Sequence, residues 1–85
     1  MEYVVVAFRS RAHTVKFSGL LLRNGIGCEI INTPKEAGVG CGLSIKISKN
    51  SFSRVKQIVY MASLNSFAGY FLVTEVGGKR IVRTI

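Results

Sequence analysis

Two stretches decide the fold: Gly27-Cys28-Glu29-Ile30-Ile31-Asn32-Thr33-Pro34 and, after a glycine-rich turn, Leu43-Ser44-Ile45-Lys46-Ile47-Ser48. Gly27 to Ile31 reads as a short apolar strand, and Pro34 stops it because proline has no N–H to give to a ladder. Lys35 to Gly40 reads as a loop, with Gly38 and Gly40 on either side of Val39. Leu43, Ile45 and Ile47 then alternate with Ser44, Lys46 and Ser48, the period of a half-buried strand. Two strands therefore follow one another with no helix between them.

Upstream, Tyr3 to Phe8 holds the β-branched run Val4-Val5-Val6 and reads as a buried strand. Ser10 is placed to cap a helix from Arg11 to Arg23, and Gly25 stands where a left-handed residue would close it. Val15, Phe17, Leu20, Leu21 and Leu22 supply its apolar face with some excess. Downstream, Ser51 is the expected cap of a second helix ending near Leu64-Asn65. Phe52, Val55, Ile58, Val59 and Ala62 fall on one face of it. Tyr70 to Val76 reads as a strand, Gly77-Gly78 as a two-residue hairpin turn, and Arg80 to Ile85 as a last strand.

The order β-α-β-β-α-β plus a C-terminal hairpin strand predicts a single α+β domain over residues 1–85. Right-handed crossovers fold it into a ferredoxin-like, split βαβ antiparallel sheet with both helices on one face. The first and third strands are expected to be parallel neighbours. The other face, carrying Tyr70 and Leu72 or Phe71 and Val73, is expected to be left to solvent or to a second copy.

An 85-residue chain that is 48% apolar supports one core. Twelve Lys and Arg against four Glu and no Asp give a net charge of +8, which suits an acidic or anionic partner or simple solubility. No apolar run approaches the ~18 residues of a membrane span, and the N-terminus lacks the pattern of a secretory signal. Two cysteines, Cys28 and Cys41, are too few for a disulfide scaffold, so a cytoplasmic home is expected.

Cys41 is the candidate working residue. It sits in Gly38-Val39-Gly40-Cys41-Gly42, and backbone N–H groups of such a turn can hold a thiolate. Gly40, Gly42 and Lys35 are the expected supports. Parallel pairing of the first and third strands would place Arg9 and Arg11 at the far end and leave Lys35 as the nearer cation. The competing reading is a small apolar cysteine packed at the start of a strand. Cys28, inside an apolar run, reads as a core residue, and His13, the only histidine, as a surface one. No Cys-x-x-Cys pair or clustered ligand set points to a metal, the glycine turn precedes a strand where a nucleotide loop would follow one, and no cofactor is expected.

The stretch from Phe8 to Ser44 resembles a small bacterial family of selenium/sulfur carrier-like proteins. The matching pieces are Phe8-Arg9-Ser10, His13, Leu20-Leu21, Gly25-Ile26, Thr33-Pro34 and Cys41-Gly42-Leu43-Ser44. The chain departs from that pattern at Arg9, where a proline is usual, and in a less charged first helix. The resemblance implies that Cys41 holds a persulfide or selenide and relays it between donor and acceptor proteins, without turnover of its own. Two alternatives stay open: a non-catalytic homodimeric interaction or regulatory domain, and an RNA-binding module. The second lacks aromatics on the Leu43–Ile47 strand, where that class reads bases.

Overall fold

The computed structural model describes residues 1–40 and 42–85. Strand β1 (Glu2–Phe8) leads into helix α1 (Arg11–Arg23) and then β2 (Glu29–Asn32). A 3-10 turn (Lys35–Ala37) precedes β3 (Leu43–Ile47). A second 3-10 turn (Lys49–Ser51) runs into helix α2 (Phe52–Ala62), followed by β4 (Phe67–Val76) and β5 (Lys79–Thr84). The fold is α+β: one five-stranded sheet, order β2-β3-β1-β4-β5, every neighbouring pair antiparallel.

The antiparallel pairing of β1 with β3 overturns the expected parallel one: Val4 faces Ile47 and Ala7 faces Ser44. The reason is chain direction. The crossover through α1 makes β1 and β2 run the same way, and β3, hydrogen-bonded between them, must oppose both. The end of β1 therefore lies beside the start of β3.

Local chemistry explains most element ends. The Ser10 side chain accepts from the His13 N–H at 3.2 Å, capping α1. At the other end the Gly25 N–H reaches Leu22 O and the Ile26 N–H reaches Leu21 O, both at 3.0 Å, with Gly25 at φ +73°. This is a Schellman closure, and buried Ile26 packs with Leu21 beneath it. Ser51 does not act as the expected cap of α2, for its side chain makes no capping bond. Instead Ser48 accepts from the Asn50 N–H and starts the 3-10 turn ahead of the helix. The helix stops at Ala62 because Ser63 turns left-handed at φ +50°. Gly77 and Gly78, both at positive φ, form the β4–β5 hairpin turn.

β4 begins three residues earlier than its sequence pattern indicates. Ala7 faces Gly69 while Phe8 faces Phe67, so one extra residue is absorbed as a bulge with Gly69 at φ +143°. The bulge shifts the alternation: Phe67 packs with the helix-side core and Ala68 with the opposite one.

β1 is buried on both faces from Tyr3 to Phe8. Its even residues Val4, Val6 and Phe8 join Ile45, Ile47, Phe17, Leu21, Ile26 and Val55 in the core beneath the two helices. Its odd residues Tyr3, Val5 and Ala7 join Phe71 and Val73 on the other side. That side is not left bare. The loop between β2 and β3 folds over it, packing Ala37 and Val39 against the cluster. The Glu36 carboxylate accepts from Arg80 Nη2 and Nε, at 2.9 and 3.2 Å, and ties the loop to β5. Phe71 and Val73, expected on a free or dimeric face, are 6% and 0% exposed.

Candidate functional site

The antiparallel register assembles one end of the sheet from three segments. β1 finishes at Phe8, α1 starts after Ser10, and β3 starts at Leu43. Thr14, fully buried in the first turns of α1, donates toward Ser10 O at 3.2 Å and more weakly toward Leu43 O at 3.4 Å. Thr33 holds the incoming strand from the other side. Its N–H donates to Gly42 O at 3.0 Å, and its hydroxyl pairs with that of buried Ser44 at 2.7 Å. Arg9 donates its backbone N–H to Ser66 O at 2.7 Å, and the His13 imidazole meets the Ser66 hydroxyl. The connection after α2 therefore closes over the same end.

Cys41 lies outside the described residues. Its chain neighbours Gly40 and Gly42 are both exposed, and a Cβ on either would meet nothing within 4 Å. Of the glycines in this loop only Gly38 adopts the left-handed conformation, at φ +65°, where it closes the 3-10 turn. Lys35 opens that turn and is exposed.

The electrostatics of this end favour an anion. Arg9 and Arg11 are exposed, and the first turn of α1 carries no acidic residue. The positive end of the α1 dipole is thus not offset by its own side chains. Glu2 sits at the other end of β1, held by Lys49 at 2.6 Å and by the Thr74 hydroxyl. With the pairing of β1 and β3 reversed, Arg9 and Arg11 stand at the end where β3 is entered, and the ground for ranking Lys35 ahead of them is gone.

Cys28 is a different kind of cysteine. It precedes β2, half-buried against the helix-side core, with its thiol directed at Ser18 O at 3.6 Å. Burial pushes its pKa up, which keeps it protonated and a poor nucleophile. Among the described residues no three His, Cys, Asp or Glu are grouped to hold a metal ion. None of the described helices is long and apolar enough to cross a membrane.

Sequence reasoning missed Thr14. The signal for it is a hydroxyl four residues after the cap, on the buried face of α1, at a position where an apolar side chain would ordinarily sit. Ser44 reads in sequence only as a polar position of an alternating strand and Thr33 only as the residue before Pro34; the structure gives them a joint task, fastening the strand that follows Gly42.

Residues 3–65 match the family described as "Putative Se/S carrier protein-like". The match covers about three quarters of the chain, and the protein belongs to this family. No curated protein and no solved structure matches the chain.

Proposed function

We propose that this protein is a sulfur or selenium carrier that loads on Cys41 and hands its cargo to a partner protein. The observation that carries the reading is the β1–β3 register, Ala7 against Ser44, within a chain whose family match takes in Cys41. That register supports a site at the first turn of α1. There the free N–H groups of the helix and the Arg9 and Arg11 guanidinium groups would lower the thiol pKa and stabilise the thiolate. Gly40 and Gly42 keep the approach open, and Lys35 adds charge from the loop. The strand order β2-β3-β1-β4 supports a ferredoxin-like split βαβ domain with β5 appended. A cytoplasmic setting, where thiols stay reduced, fits the chemistry.

The transfer balances without an oxidant. The Cys41 thiolate attacks the outer sulfur of a donor persulfide, a new sulfur–sulfur bond forms, and the donor's own bond breaks to release its thiolate. An acceptor nucleophile then takes the outer sulfur and Cys41 leaves as thiolate. Selenium follows the same course when the donor already carries it as the outer atom of a perselenide: the Cys41 thiolate attacks that selenium and the donor thiolate leaves. No turnover beyond this relay is required of the chain.

Intact-mass measurement after incubation with a low-molecular-weight persulfide tests the reading. The wild type and Cys28→Ser are expected to gain one sulfur atom, and Cys41→Ser none. Replacing Arg9 and Arg11 together by Gln is expected to move the pH profile of alkylation of Cys41 upward. Equal loading of Cys41→Ser and wild type would sink the proposal.

A further inference from the structure

The helix layer has an outer surface that the fold does not use. On α2 the positions Phe52, Val55, Val59 and Ala62 face the core, while Ser53, Lys56, Gln57, Tyr60 and Met61 form a second stripe facing outward and line a shallow depression. Tyr60 and Met61 are 84% and 81% exposed, large apolar surfaces to leave in water. Beside them a furrow runs between the helices, floored by Leu20, Ile58 and Met61 and edged by Asn24 and Gln57.

The charge of the helix layer has one sign. Lys56 lines the depression, Arg54 reaches Asn24 O at the edge of the furrow at 3.0 Å, and neither helix contains an Asp or Glu. The four glutamates lie elsewhere: Glu2, Glu29 and Glu75 on strands β1, β2 and β4, and Glu36 against Arg80. A second copy is a poor occupant, because a two-fold contact would set these cations against their own copies. A nucleic acid is a poor one too. The floor is aliphatic, with Tyr60 as the one ring on it, whereas single strands are held by successive stacked aromatics. An aliphatic furrow with an adaptable methionine, set beside Lys56 and Arg54 in a helix layer without carboxylates, matches an amphipathic helix whose polar face is acidic.

We propose that the outer face of α1 and α2 docks an acidic amphipathic helix of a partner protein, with its apolar side in the Leu20–Ile58–Met61 furrow. This inference rests on the helix face alone and stands or falls independently of the chemistry at Cys41.

The test uses a fluorescein-labelled synthetic helix with leucines along one stripe and glutamates elsewhere, measured by anisotropy, with amide NMR shifts to locate it. A lysine-for-glutamate version and a single-stranded oligonucleotide are the comparators. The glutamate peptide is expected to bind, to shift the amides around Leu20, Ile58 and Met61, and to weaken with added salt. Met61→Asp, a change at an exposed position, is expected to weaken it by about tenfold or more, and Lys56→Glu to weaken it further in combination. Persulfide loading of Met61→Asp and peptide binding by Cys41→Ser are expected to match wild type, which separates this proposal from the carrier reading. The proposal is overturned if the lysine peptide binds as well, if the oligonucleotide binds more tightly, if the shifts map elsewhere, if Met61→Asp binds unchanged, or if a concentration-dependent dimer covers Met61.

Discussion

The two faces of the sheet are built to different depths. Under the helices, Val4, Val6, Phe8, Ile45 and Ile47 meet Phe17, Leu21 and Val55, all at most 2% exposed. Phe8 adds ring contacts to Phe17 and Phe67 at 5.2 and 5.8 Å between centroids. On the other face Tyr3, Val5, Ala7, Phe71 and Val73 are roofed by a loop that offers two partly buried side chains, Ala37 and Val39, and one surface ion pair. The helix side thus has the packing that sets global stability, while the loop side is covered by a segment held through few contacts. The difference gives the loop side a second meaning. The segment that roofs it, between β2 and β3, is also the one that carries Cys41 in the chain.

The largest test of this contrast is at the deep face. Phe17→Ala removes a fully buried ring from the middle of the helix-side cluster and is expected to cost about 3–5 kcal/mol in urea unfolding. For a domain of this size that is a large part of the total. Val39→Ala, in the roof of the shallow face, is expected to cost about 1 kcal/mol or less. Its main effect should be local, with faster amide exchange confined to residues 36–40. If Val39→Ala matched Phe17→Ala, or loosened the whole molecule, the two faces would be one cooperative unit and the contrast would fail.

How much of this was legible in the sequence follows from which forces are local. Ser10, Gly25 and the Gly77-Gly78 pair announce their caps and turn because each acts on neighbours within a few residues. The even–odd split of β1 is implicit in an unbroken apolar run, which must be buried on both sides. Gly69 reads as a breaker, yet it sits inside β4, because only the pairing with Ala7 and Phe8 shows that a bulge absorbs it. The direction of β3 was recoverable from the order of elements, since a helical crossover makes β1 and β2 run the same way and the chain reverses before β3, and reading it as parallel to β1 moved the cations of the candidate site to the wrong end. The roof was harder. Ala37 and Val39 are two apolar residues among glycines, and nothing nearby in the chain tells that they will find Val5 and Phe71. Likewise Thr14 meets Leu43 across 29 positions of sequence. The loop's own chemistry, Gly40-Cys41-Gly42, was legible as a motif; the described residues add what stands next to it.

The smallest expected effect concerns the tie that holds the roof. The Arg80 guanidinium, hydrogen-bonded to Glu36, holds that carboxyl below its ordinary value of 4.5. A carboxyl whose folded pKa is depressed favours the folded arrangement at higher pH, and that contribution is lost as pH falls through the folded value. The tie is therefore fully made at neutral pH and loosens only well into the acid range. Both partners are exposed, so global stability should scarcely register it, and the readout has to be the group itself. Carbon-13 NMR of the Glu36 carboxyl is expected to show a midpoint below 4.5 that returns toward it in Arg80→Gln. Glu2 is the internal control. Its carboxyl is lowered by Lys49 and Thr74 at the far end of β1, so its midpoint should not follow the Arg80 change. A Glu36 midpoint at the ordinary value in the wild type, or one indifferent to Arg80, would mean that the loop is roofed by Ala37 and Val39 alone and that the shallow face is shallower still.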